Sequence, residues 1–125
     1  MLAHGWPYSF ASMLPLAEAL RGELDVIVPS LPGYAFSDVL PERFTGSAVA
    51  RRWHAMMTDE LGYDRYLTYG EDVGAEVSDW LAATRPEAVA GIVDRHQLPA
   101  LRGVAGGERD PSADRCAREH PHPAA

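Results

Sequence analysis

The pentad Gly70-Glu71-Asp72-Val73-Gly74 is the stretch of this 125-residue chain best suited to chemistry. A β-branched and aromatic run, Arg65-Tyr66-Leu67-Thr68-Tyr69, precedes it, and apolar residues at helical spacing (Val77, Trp80, Leu81, Thr84) follow it. The pentad is therefore expected at a sharp strand-to-helix junction. Such a junction forces its central residue into strained backbone geometry, and only small residues two positions to either side fit the close approach. Gly70 and Gly74 supply both. Asp72 is then expected at the carboxyl edge of a sheet, where open α/β sheets bind ligands. A carboxylate presented there can attack carbon and give an alkyl-enzyme ester. The plain alternative is an aspartate that caps the following helix, with glycines that merely permit the turn.

His4-Gly5-Trp6-Pro7 adds a second constellation. It stops the apolar stub Leu2-Ala3, and a glycine and a proline two residues apart favour a turn. If that turn ends the first strand, it can aim the Trp6 backbone N–H beside the Val73 N–H at the head of the following helix. Two such donors make an oxyanion hole. His4 reads as orienting this turn rather than transferring protons, with Gly5 and Pro7 in the same supporting role. His54 reads as a packing residue.

Taken together, these motifs resemble the α/β-hydrolase-fold epoxide hydrolases, especially the microsomal and juvenile-hormone type. The resemblance is carried by His4-Gly5-Trp6-Pro7, the elbow around Asp72, the stretch Asp25-Val26-Ile27-Val28-Pro29-Ser30-Leu31-Pro32-Gly33-Tyr34-Ala35-Phe36-Ser37-Asp38, and Trp53-His54 through Leu61-Gly62-Tyr63-Asp64-Arg65-Tyr66. It covers about residues 2–94. It implies a two-step hydrolysis. The Asp72 carboxylate opens an epoxide while two lid tyrosines hold the ring oxygen. A histidine–acid pair then activates water, with the oxyanion held by the Trp6 and Val73 amides. It also implies a cis Trp6–Pro7 bond.

Two departures stand out. Relatives of this type commonly carry Gly-Gly-Asp-Trp-Gly at the nucleophile elbow; here Glu71 sets a second carboxylate beside the nucleophile, and Val73 removes an aromatic wall. The lid and catalytic histidine of that family come later in the chain, and no tyrosine follows Tyr69. His96, His120, His122 and the charge-relay candidate Asp94 remain, but the catalytic histidine, the acid and the lid tyrosines are not identifiable. The chain is thus expected to be the front portion of an epoxide-hydrolase-like enzyme that lacks full turnover. A haloalkane or haloacid dehalogenase uses the same Asp attack and stays as the rival enzyme. A non-catalytic fragment that self-associates through exposed sheet edges is the rival outside catalysis.

Elements that position the pentad follow from periodicity. Residues 10–21 repeat apolar side chains at Met13, Leu16, Ala17 and Leu20, with Pro15 in the first turn or at a kink. Residues 24–28 read as a buried strand and 29–38 as a packed loop carrying Tyr34 and Phe36. Thr45 caps a helix running to Leu61, with Val49, Trp53, Met56, Met57 and Leu61 on its stripe and Gly62 closing it. Ala75 to Arg85 is a helix ended by Pro86, and 89–93 a last strand. Alternating strands and helices predict an α/β fold, a mostly parallel sheet with helices on both faces; the resemblance implies that residues 1–94 are part of an α/β-hydrolase core. Residues 95–125 are expected to be a disordered or divergent polar tail.

Composition agrees with that division. All eleven aromatics lie between Trp6 and Trp80, and the tail's only large aliphatics are Leu98, Leu101 and Val104. Up to Asp94 there are fourteen acids against six arginines, and the chain has no lysine. An acidic body argues against nucleic acid or an anionic membrane as partner; Arg51-Arg52 sits on a solvated helix face. The partner that the resemblance implies is a small-molecule epoxide or related electrophile. No apolar stretch nears the roughly 20 residues of a membrane span. A lone cysteine, Cys116, points weakly to a reducing compartment, so a cytoplasmic location is expected. No cofactor or metal is expected; His120-Pro121-His122 has no third spaced ligand.

Overall fold

The structure is a computed structural model that describes residues 1–95. Three parallel strands, β1 (Leu2–Ala3), β2 (Tyr66–Glu71) and β3 (Val89–Arg95), form one sheet in that order. Parallel neighbours require crossovers. α1 (Leu14–Leu20) and α2 (Gly46–Ala55) lie between β1 and β2, and α3 (Val73–Thr84) joins β2 to β3. This is the α/β fold that the alternation predicts.

Side chains on β2 alternate between the two faces of the sheet. Tyr66 and Thr68 are buried toward α3, where Thr68 Oγ1 lies 2.8 Å from Ser78 Oγ. Val49 and Trp53 of α2, Met57, and Val77 and Leu81 of α3 complete this core with Ala3 and Leu31. Thr45 caps α2 by accepting the Ala48 N–H at 3.1 Å. On the opposite face Leu2, Leu67, Tyr69 and Val93 line an apolar cleft of about 510 Å³, flanked by Leu16 and Leu20 of α1. One face is thus closed by two helices, and the other is bordered by one short helix.

Several local expectations change. Residues 24–28 form no strand: β1 offers only two residues to pair with, and a single backbone bond, Leu2 N–H to Ile27 O at 2.8 Å, joins the segment to it. The helix through 10–21 begins as a 3-10 turn, Phe10–Met13, and becomes α-helical only where Pro15 falls in the first turn. α2 stops at Ala55 and continues as a widened π turn, Met56–Glu60, before Gly62 closes it at φ 76°. That widening leaves Leu61 off the apolar stripe and half exposed. Trp80 is half exposed, with the Cδ1 edge of its ring against Gly46. In the 29–38 loop Tyr34 packs on the core, but Phe36 points outward and is 93% exposed. The last strand extends past 93 to Arg95; the rest of the expected tail lies outside the described residues.

Candidate active site

The register of the sheet creates the site. Ala3 pairs with Gly70, so β1 and β2 run in parallel and their carboxyl ends emerge side by side. His4-Gly5-Trp6-Pro7 comes directly after β1, and Asp72 directly after β2. No turn of several residues separates β2 from α3; Asp72 alone makes the junction, at φ 52° and ψ −114°. A non-glycine residue in that region stores about 1–3 kcal/mol of strain. Gly70 and Gly74 make the sharp junction possible. A Cβ on Gly70 would stand 2.6 Å from Ala75 N, and one on Gly74 would stand 2.7 Å from His4 O. Their missing side chains let β2, the head of α3 and the end of β1 close on one another.

Asp72 Oδ1 receives two backbone donors. The Val73 N–H reaches it at 2.7 Å and the Trp6 N–H at 3.2 Å. The carboxylate does cap α3, as the plain alternative has it, but the same oxygen also faces the turn at the end of β1. Trp6–Pro7 is cis. Tyr8 N–H closes that turn on Gly5 O at 3.0 Å. His4 is fully buried beneath it and accepts the Leu31 N–H on Nε2 at 2.9 Å. An amide can only donate, so the His4 proton sits on Nδ1, which lies 3.2 Å from Gly5 O. Burial pulls this imidazole below its ordinary pKa, outweighing its backbone hydrogen bonds. His4 thereby ties the turn to the loop at Leu31.

Glu71 does not stand alone beside Asp72. The Tyr69 hydroxyl donates to Glu71 Oε1, and the Arg95 guanidinium comes within 3.9 Å of the same oxygen. The Tyr69 phenol is held above its usual pKa, chiefly because Glu71 accepts its proton in a hydrogen bond. Sequence reasoning missed this cluster. The signal was present: Tyr69 and Glu71 are two apart on one strand and so share a face. Arg95 joins them because it pairs with Glu71 in the β2–β3 register.

The remaining candidates are dispersed. His54 Nδ1 lies 3.1 Å from the Tyr66 hydroxyl at the other end of β2, engaged in packing. Asp94 stands on β3 opposite Gly70. Arg52 pairs with Glu42 at 3.0 Å on the solvated face of α2. His96, His120, His122 and Cys116 lie outside the described residues. Among the described residues no three His, Cys, Asp or Glu side chains converge as metal ligands, and no helix is long and apolar enough to cross a membrane.

Comparison with known proteins places this geometry in context. The sequence profile of the α/β hydrolase fold matches residues 1–94. A putative epoxide hydrolase of Stigmatella aurantiaca is 38% identical over 103 residues, covering 74% of this chain and 23% of that protein. Juvenile hormone epoxide hydrolase of Bombyx mori is 33% identical over 108 residues, covering 81% of this chain and 23% of that protein. The crystal structure of juvenile hormone epoxide hydrolase from the silkworm Bombyx mori aligns with a TM-score of 0.65 at 30% identity, covering 74% of this chain and 26% of that one. The chain spans about a quarter of the length of these relatives.

Proposed function

The chain belongs to the α/β hydrolase fold family, and from that premise we propose that it is an epoxide-hydrolase-like hydrolase whose Asp72 forms an alkyl-enzyme ester. One observation carries this reading: both backbone donors at the elbow, Trp6 and Val73, converge on Asp72 Oδ1. That leaves Oδ2 to attack. A new bond forms between Oδ2 and a ring carbon, the ring C–O bond breaks, and the departing oxygen takes a proton from water. Oδ1 becomes the ester carbonyl oxygen. If water then adds to the ester carbon, negative charge develops on the oxygen already held by the two amides. A single donor of this kind is worth about 10²–10³ in rate.

The second step needs a base. Among the described residues both nitrogens of His4 are engaged, and His54 bonds Tyr66 on α2 and β2. The activity proposed for residues 1–95 is therefore the covalent half of the reaction. The substrate proposed is a small epoxide, by analogy with the named relatives.

Intact mass after incubation with an excess of a reactive epoxide tests this. The expected result is one adduct of the epoxide's mass, mapping to residue 72 and absent in Asp72→Asn. Steady release of diol would show that a base is supplied and would overturn the half-reaction claim. Labelling by a haloalkane in place of the epoxide would reassign the electrophile and keep the nucleophile. No adduct with either reagent sinks the enzymatic reading.

A further inference from the structure

At the carboxyl edge of β2 and β3, Tyr8, Ser12, Glu71 and Arg95 line an open polar cavity of about 260 Å³. Its walls are tied to the elbow. Glu71 precedes Asp72 in the chain, and the Arg95 carbonyl accepts the Asp72 N–H at 3.2 Å. Tyr8 closes the turn that carries the Trp6 donor. Two of its four lining residues, Glu71 and Arg95, thus adjoin Asp72 through the backbone.

The groups inside define what fits. Arg95 brings five N–H donors on a side chain that is 77% exposed, more than its 3.9 Å contact with Glu71 Oε1 can occupy. Glu71 Oε1 already accepts from the Tyr69 hydroxyl. Ser12 gives its proton to Ser9 O at 2.8 Å and so offers an acceptor to a ligand. Tyr8 OH can donate or accept. A carboxylate placed here meets Glu71, and an ammonium meets the Arg95 guanidinium while Glu71 Oε1 is already engaged by the Tyr69 hydroxyl. A neutral hydroxyl, both donor and acceptor, meets partners for each role without a charge conflict.

We infer that this cavity is a subsite for a neutral hydroxyl carried on the carbon next to the epoxide ring, so that hydroxy-epoxides are the preferred electrophiles. The inference rests on Asp72 as the nucleophile. The bonds made and broken are those already described, and the substituent hydroxyl is unchanged by the reaction.

The test compares 2,3-epoxypropan-1-ol with 1,2-epoxybutane, which has the same number of heavy atoms, and with 2,3-epoxypropanoate. The rate of Asp72 adduct formation is divided by each compound's rate with acetate in solution. A hydrogen bond to a charged group supports a preference of about tenfold for the alcohol over the alkyl epoxide. In Arg95→Met, which retains the carbonyl that receives the Asp72 N–H, that ratio should fall to about one. Glu71→Gln, which keeps an acceptor for Tyr69 and removes a charge, should raise the relative rate of the propanoate. Equal normalised rates for the alcohol and the alkyl epoxide overturn the subsite and leave the nucleophile standing. A wild-type preference for the propanoate does the same. Absence of any Asp72 adduct sinks the nucleophile and the subsite with it.

Discussion

Gly5 lies so close to Asp72 that a Cβ at residue 5 would stand 2.6 Å from Asp72 Cβ and 2.6 Å from the Glu71 carbonyl oxygen. The turn after β1 can carry Trp6 N–H to Asp72 only because residue 5 has no side chain. Neither obstacle is the far end of a flexible side chain, so Gly5→Ala must move backbone. Overpacking of this kind costs about 1–3 kcal/mol. The urea midpoint of Gly5→Ala is expected to fall accordingly, and an unchanged midpoint would contradict the close approach.

Two deletions of the Asp72 side chain should act in opposite directions on stability. Asp72→Gly relieves strain of about 1–3 kcal/mol at φ 52°. It gives up only a few tenths of a kcal/mol as a helix cap and about 0.4–1 kcal/mol in unfolded-state entropy. Asp72→Ala keeps the strain and loses the cap, at a cost of about 1 kcal/mol. Thermal unfolding should place the glycine variant above the alanine variant, with neither forming an epoxide adduct. The reverse order would mean that the elbow is not strained.

The sharp β2–α3 junction at Asp72 was legible in the sequence because its signals are local. Gly70 and Gly74 flank one residue between a β-branched run and a helical stripe, and no distant information is needed to place Asp72. The convergence of Trp6 and Val73 on one oxygen required the β1–β2 register, which the motif order suggested but could not measure. What the sequence concealed depended on pairing partners. Residues 24–28 have strand composition, yet pair through one bond because β1 is two residues long there. The π turn after Ala55 shifted Leu61 off a stripe that an ideal helix would have kept. Arg95 belonged by composition to the tail, and only its register with Glu71 brings it to the site.

The buried hydroxyl pair beneath the sheet should show coupling. Thr68 Oγ1 and Ser78 Oγ are 2.8 Å apart with both residues buried, so removing one hydroxyl leaves the other without this partner. Ser78→Ala is expected to cost about 1–3 kcal/mol. Thr68→Val combined with Ser78→Ala removes both polar groups and should cost less than the two single changes added together. Urea unfolding of the four proteins closes the cycle, and strict additivity would show that the two hydroxyls do not interact.

His4 should make stability depend on pH near neutrality. Its Nε2 accepts the Leu31 N–H, so a second proton would break that bond and place a charge in a buried site. Burial accordingly holds its folded pKa below the ordinary value of 6.5. The unfolded chain then binds the proton at a higher pH than the folded chain does. Stability from neutral His4 is complete above about pH 6.5 and is lost as pH falls from there toward the lowered folded value. The urea midpoint is expected to drop between about pH 7.5 and 5.5 in the wild-type chain and to change less in His4→Gln, whose side-chain oxygen can accept the Leu31 N–H without titrating. Subtracting the two profiles cancels the other titrating groups. If the two profiles run parallel, the proton that governs stability is bound elsewhere, and His4 is not the buried neutral acceptor that holds the turn.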